Sequence, residues 1–312
     1  MSLGLRLGLQ YSKLSGNGSG YNAFTIEVKT DNTGTSNDNQ FQFTGAVGDY
    51  DVVAKQNGVV IETFNDLSDE ATITFANGVG TYILEVSAKE VNGFNRIKFN
   101  NKGDNDKILD TKNWGNIVWA SFKNAFHGCN NMKVTATDVP NLSNVTDMQN
   151  MFFEASSANP DTSNWDVSNV TDMSLMFYKS SSANPDTTNW DVSSVTDMYG
   201  MFRQASSANP DVSNWDVSSV TNMSRMFRQA SSANPDVSNW DVSNVTDMDA
   251  MFLNSNLSVE NLTACYENWS QLTLQQNVSF SAGSTKYNAS GQAGRDILVN
   301  TYNWTITDGG LV

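Results

Sequence analysis

The chain has 312 residues and a formal net charge of -15, which is enough length for two domains with a buried core. An acidic surface repels nucleic-acid phosphates and anionic lipid headgroups, so we expect neither as a partner. No apolar stretch reaches the length of about 18 residues that would indicate membrane insertion. The two cysteines, Cys129 and Cys265, lie far apart and predict no disulfide framework.

The N-terminal segment alternates apolar residues with Gly, Arg and Gln. The apolar positions are Leu3, Leu5, Leu7, Leu9 and Tyr11. A period of two predicts a strand with one apolar face. Two interpretations remain open: a disordered or tag-like start, and an anchoring arm that docks on another subunit. The segment has no charged region, continuous apolar core and small-residue cleavage site of the kind that marks an export signal.

Short β-rich runs separated by Gly and Asn follow a Gly/Ser linker. They cover 24–30, 40–44, 50–54, 59–64, 71–75 and 81–88. Closely spaced short strands of this kind predict an all-β sandwich.

A 25-residue repeat dominates the centre of the chain. The segment NWDVSNVTDMSLMF returns three times with small changes, and its tryptophans are Trp165, Trp190, Trp215 and Trp240. A fixed period of this size predicts a solenoid. Within one repeat, Val212, Trp215, Val217 and Val220 fit the strand pattern of leucine-rich repeats. Met223, Phe227 and Ala230 then continue from Val220 as the stripe of a short helix.

The aperiodic tail predicts a cap made of a helix at 258–272, a strand at 278–280, a helix at 292–302 and a strand at 304–306. The predicted fold class is therefore α+β: an N-terminal all-β sandwich, a leucine-rich-repeat-like β/α solenoid and a C-terminal cap. The predicted divisions are an arm and linker at 1–21, the sandwich at 22–101, the solenoid at 102–255 and the cap at 256–312.

The units NVTDMxxMF and NWDVSxVTDM, together with the tail NWTITDGG, resemble the BspA-type leucine-rich-repeat surface proteins. This resemblance covers roughly residues 94 to 310. It implies a surface-exposed, adhesin-like binding protein, and it provides no catalytic residues to transfer.

Candidate chemistry is sparse. His127, the single histidine, lies beside Cys129, but two ligands do not make a metal site. We therefore predict no enzyme and no cofactor other than calcium. One aspartate column follows the tryptophans: Asp166, Asp191, Asp216 and Asp241. Stacked carboxylates in adjacent repeats permit two interpretations, hydrogen bonding within the structure or a face that binds divalent cations or glycans.

The sequence thus predicts a non-enzymatic, surface-displayed, adhesin-like protein on a phage virion, as a fibre or decoration. Its N-terminal arm would contact other virion proteins, and its repeats would bind a host-surface protein or glycan. A bacterial cell-surface or extracellular adhesin and a passive spacer are the alternatives, and a homo-oligomer is compatible with either.

Overall fold

The computed structural model describes residues 23–90 and 93–312. Its N-terminal region is β-rich and holds six strands where six were predicted. They are β1 (Phe24–Lys29), β2 (Gln40–Gln42), β3 (Asp49–Gln56), β4 (Val59–Ser68), β5 (Thr72–Thr74) and β6 (Thr81–Ala88). The β3–β4 hairpin turns at Asn57 and Gly58, both with positive φ, as its two-residue connection requires.

Most of these strands join one large sheet that continues past residue 101. Its order is β4-β3-β6-β1-β7-β8, where β7 is Ile108–Asn113 and β8 is Lys133–Val134. Strand β7 pairs antiparallel with β1, and β8 pairs parallel with β7. A small second sheet, β2-β5, contributes the buried Phe41 and Ile73. These features fit a β-sandwich whose large sheet extends through β7 and β8, beyond the boundary predicted at residue 101.

The predicted β/α solenoid is wrong. The described residues are mostly β-sheet and turn, and the two α-helices among them lie beyond the repeats, at α1 (Val259–Trp269) and α2 (Gln292–Asn300). The segment 219–230, predicted as a helix, consists of turns because Arg225 and Gln229 have positive φ of 60° and 62°, incompatible with helical backbone. The predicted strand at 212–220 also consists of turns.

Each repeat unit is instead a chain of β-turns. Successive hydrogen bonds join the first and fourth residues of MxxM, FxxA, AxxA, TxxW and VxxV, for example Met151 N to Met148 O at 3.1 Å and Val170 N to Val167 O at 2.9 Å. The first and fourth residues of these turns are buried throughout, Trp165 and Trp215 included. The prediction that the repeat tryptophans point inward is therefore confirmed.

Neighbouring units are joined by backbone hydrogen bonds from every second residue. Met148, Asn150, Phe152 and Glu154 donate to the carbonyls of Asp172, Ser174, Met176 and Tyr178, at 2.8–3.0 Å. The pattern recurs 25 residues later, and single parallel bridges such as Asp147–Asp172 mark each junction. The buried phenylalanine rings stack from unit to unit at 5.5–5.6 Å between centroids.

The C-terminal region packs on the last unit. Met248 and Phe252 donate to Ser279 and Ser281 of strand β9 (Ser279–Ser281), which pairs parallel with β10 (Thr305–Thr307). The indole of Trp269 in α1 donates to Val237 O, continuing the bonds that the repeat tryptophans make. Both tail helices and both tail strands were predicted and are confirmed. The domain boundaries remain a prediction.

Candidate binding face

The predicted anchoring residues Leu3, Leu5, Leu7, Leu9 and Tyr11 lie outside the described residues. The docking of this segment therefore remains a prediction.

The predicted aspartate column after the tryptophans is exposed to solvent. Asp166 accepts the hydroxyl and the backbone N–H of Ser168, at 2.6 and 3.2 Å, and these bonds, the hydroxyl foremost, lower the pKa of Asp166. Asp191, Asp216 and Asp241 likewise accept the N–H of the serine two residues on. Each carboxylate thus holds a turn of its own unit rather than a group of the next unit. Nowhere in 23–90 and 93–312 do three His, Cys, Asp or Glu side chains gather as a metal site.

A second aspartate column lies at the start of the MxxM turns. Asp147, Asp172, Asp197 and Asp247, interrupted by Asn222, begin the MxxM turns and accept the N–H two residues on. Burial raises the pKa of Asp197, and the charge of Asp172 acts in the same direction. Burial and a neighbouring like charge therefore both disfavour the ionised form of Asp197.

The difference between units points to another surface. Sixteen of the 25 positions are identical in the four units 148–172, 173–197, 198–222 and 223–247. Five others exchange residues of similar size, namely Ala/Ser, Thr/Val, Ser/Thr, Asn/Ser and Asp/Asn. At the remaining four positions the side chains differ in size as well as in chemistry, and they read Gln-Asn-Phe-Glu, Ser-Leu-Tyr-Lys, Tyr-Gly-Arg-Gln and Ser-Arg-Arg-Gln. We call the side chains at these four positions the variable face: Gln149, Asn150, Phe153, Glu154, Ser174, Leu175, Tyr178, Lys179, Tyr199, Gly200, Arg203, Gln204, Ser224, Arg225, Arg228 and Gln229.

The turns place these four positions together. In each unit they are the two central residues of the MxxM turn and of the FxxA turn, whose flanking Met, Phe and Ala side chains are buried. Most of the central side chains are partly or fully exposed, while Ser174, Gly200 and Ser224 are buried. Stacking of the units therefore aligns the variable positions in adjacent columns on one face.

Backbone preference does not explain the residues chosen. The second central position of each turn has positive φ, which Gly and Asn adopt most easily. Leu175, Lys179, Gln204 and Arg225 stand there nonetheless, with φ of 56–60°. A left-handed backbone costs such residues about 1 kcal/mol or more each, so their side chains are retained against a local preference.

Part of one column of the variable face, together with His127 ahead of it, forms a stack of three rings and one guanidinium group. His127 of the preceding, degenerate unit lies 4.3 Å from Phe153, and Phe153 lies 4.5 Å from Tyr178. The Arg203 guanidinium lies 4.9 Å from the Tyr178 ring, and Arg228 follows in the next unit. Burial lowers the pKa of His127, which favours its neutral form.

The cations along the stacked units differ in their partners: the two lysines of the earlier units form ion pairs, and within the described chain the three arginines of the later units do not. Lys123 pairs with Asp147 at 2.9 Å and Lys179 with Glu154 at 2.6 Å. Arg203, Arg225 and Arg228 form no ion pair with any residue that the structure describes. Arg225 donates to the Tyr199 hydroxyl at 3.0 Å, and the buried Nε atoms of Arg203 and Arg228 have no hydrogen-bond partner within the described chain.

Cys129, beside His127, is fully buried, and burial raises the pKa of its thiol well above the ordinary value. The residue is therefore a core side chain.

A separate cleft of about 520 Å³ in the N-terminal region is lined by Arg96, Lys98 and Lys102 with Glu70. Among residues 23–90 and 93–312, no helix is both long and apolar enough to cross a membrane.

Comparison with known proteins identifies one family. The family described as "Mycoplasma protein of unknown function, DUF285" matches residues 120–212 and 180–291, which together cover more than half of the chain. The matched span contains all four repeat units. No curated protein and no solved structure matches the chain significantly.

Proposed function

The chain belongs to the DUF285 family of repeat proteins, and from this premise we propose that it is a non-enzymatic, surface-associated protein that binds its partner through the variable face. The family match supports a surface repeat protein in general, without singling out the BspA type. The observation that carries the binding role is that the largest side-chain differences among nearly identical units fall at four positions that share one face. A passive spacer needs no such variation.

The non-enzymatic part of the proposal rests on chemistry. The single imidazole, His127, stacks on Phe153, and burial lowers its pKa. The aspartates recur at the same three positions of nearly every unit and hold turns, as a repeated scaffold does. Adhesion, with a host-surface protein or glycan as partner, is the finer role that we propose for the face.

The test combines location and binding. Intact cells that produce the chain are treated with a membrane-impermeant biotin reagent, and we expect the chain to be labelled while a cytosolic marker is not. Purified protein is then applied to immobilised glycans and extracellular-matrix proteins. We expect Tyr178→Ser/Tyr199→Ser to lose the binding that wild type shows.

The matched control is Asn214→Ala/Asn239→Ala, which changes two exposed side chains outside the variable face. It should bind as wild type does, and thermal unfolding should show that both variants are folded. Equal binding by wild type and the tyrosine variant on every surface would contradict the proposed face. An unlabelled chain on intact cells would contradict surface display.

Display on a virion is a second candidate, suggested by the alternating apolar residues of the N-terminal segment. Deletion of residues 1–14 should leave the repeats folded and abolish incorporation into particles. The measurement is the amount of full-length and shortened chain that sediments with purified virions. Equal incorporation would contradict an anchoring role for Leu3 to Tyr11.

A further inference from the structure

The positive charge of the repeat region is confined to the variable face. Residues 140–252 contain fourteen acidic and four basic residues. All four basic residues, Lys179, Arg203, Arg225 and Arg228, occupy variable positions. The constant positions hold no Lys or Arg, and neither do the positions that exchange similar residues. The cations therefore mark this face rather than the repeat as a whole.

The arginines of this face lack an anionic partner. Lys179 is already paired with Glu154, but Arg203, Arg225 and Arg228 form no ion pair in the described part of the chain. Tyr178 lies against Arg203 and Tyr199 holds Arg225 by a hydrogen bond, so two of the three guanidinium groups are positioned by aromatic side chains. In a chain of net charge -15, carboxylates are abundant, yet none that the structure describes lies within ion-pair distance of these three arginines.

We propose that the variable face binds a linear anionic polysaccharide, with Arg203, Arg225 and Arg228 contacting its carboxylate or sulfate groups. This inference rests on the proposed function and names the partner chemistry of the same face. Planar guanidinium groups form paired, charge-assisted hydrogen bonds with such oxyanions. The repetition of Arg203 and Arg228 in consecutive units matches a ligand whose charges repeat along the stack.

Other polyanions fit the face less well. Nucleic acid carries a phosphate about every 1.7 Å of duplex and is bound by dense arrays of Lys and Arg, whereas this face offers three arginines that are unpaired among the described residues. A protein partner is usually anchored by a buried apolar centre, but the centre of this part of the face holds arginine and glutamine. Gln204 and Gln229 add amide groups beside the arginines, and these suit the hydroxyls of a sugar polymer.

The experiment measures binding of the full chain to heparin, hyaluronan, neutral dextran and polyglutamate by surface plasmon resonance. Heparin and hyaluronan separate sulfate from carboxylate recognition, and polyglutamate represents an acidic peptide. The test variant is Arg203→Gln/Arg228→Gln. The matched control is Lys133→Gln/Lys286→Gln, which removes two exposed charges elsewhere.

We expect wild type to bind heparin or hyaluronan, more weakly as sodium chloride rises, and not to bind dextran. The test variant should bind about tenfold to a hundredfold more weakly, because removing one charge-assisted hydrogen bond weakens binding by about a factor of ten. The control should stay close to wild type.

Equal affinity of the test variant and the control would overturn the assignment. It would indicate that the polysaccharide binds elsewhere on the protein, for instance in the cleft lined by Arg96, Lys98 and Lys102. Stronger binding to polyglutamate than to either anionic polysaccharide would overturn it in favour of a protein partner. If Tyr178→Ser/Tyr199→Ser loses binding to a neutral ligand while the arginine variant keeps it, the variable face remains a binding site and only the polysaccharide assignment fails.

Discussion

The repeat tryptophans allow a matched test of one buried hydrogen bond. The Trp215 ring lies between those of Trp190 and Trp240, 6.2 Å from each centroid, and its Nε1–H donates to Thr187 O at 3.2 Å. Trp165 is equally buried, at 3% against 4% exposure, but its Nε1–H has no acceptor within the described residues. The substitutions Trp215→Phe and Trp165→Phe therefore remove the same atoms with different consequences.

The expected magnitudes follow from this difference. A smaller ring should cost either variant about 1 kcal/mol of unfolding free energy through the space left behind. Trp215→Phe also removes a hydrogen bond worth about 1 kcal/mol, for a total near 2 kcal/mol. Trp165→Phe removes a buried donor that has no acceptor among the described residues, which should raise the free energy of unfolding by about 1 kcal/mol. This gain offsets the cost of the smaller ring, so the net effect of Trp165→Phe should be close to zero.

The assay is equilibrium urea denaturation followed by circular dichroism, because tryptophan fluorescence changes with the substitution itself. Similar slopes against urea for both variants would show that the same surface unfolds. Equal loss of stability in the two variants, or a larger loss for Trp165→Phe, would refute the role assigned to the indole hydrogen bond.

Three further predictions concern charges. Because burial raises the pKa of Asp197, its ionised carboxylate destabilises the fold above that pKa. Asp197→Asn should therefore have a higher Tm than wild type at pH 7, and this difference in Tm should vanish as the pH falls toward the ordinary value of 3.8. Asp104 and Lys107 are a fully buried ion pair, and Asp104 accepts four hydrogen bonds. Because Asp104→Ala leaves the Lys107 charge buried without its partner, it should lower the free energy of unfolding by about 3–5 kcal/mol in urea denaturation, and a loss below about 1 kcal/mol would contradict this. If the aspartate column of Asp166 binds divalent cations, millimolar calcium should raise Tm above that in sodium chloride of equal ionic strength; equal Tm values, with and without chelator, would leave the column as hydrogen-bonded turns.

The periodic sequence predicted which side chains of a unit are buried but not the backbone that buries them. Apolar residues three apart, as in Met223 and Met226, suit one face of a helix and equally suit the first and fourth positions of β-turns. The deciding property is the sign of φ at residues such as Arg225 and Gln229. Neither residue is Gly or Asn, but Asn150 and Gly200 stand at the position of Arg225 in other units, so the aligned repeats contained an indication of a left-handed backbone that a single unit does not show.

The tail and the N-terminal strands were predictable because their local signals agree with the structure. Ser258 accepts the N–H of Asn261 and begins α1, as a capping serine should. The variable face was missed although the sequence contains its signal, which is the difference between aligned repeats rather than their similarity. The pairing state of its arginines could not be read from sequence, because it depends on how the turns place neighbouring units.

The hydrogen bonds between units also set how the protein responds to tension. Each junction between units is closed by a run of four backbone bonds, such as that from Met148 to Glu154, together with further bonds such as Thr171 N to Thr146 O at 2.9 Å. A pull along the stack loads these junctions in series, so units should detach one at a time. Each detached unit frees 25 residues, and a fully extended segment of that size adds roughly 80 Å of contour length. Extension in equal steps of this size would let a surface-attached chain yield gradually under shear.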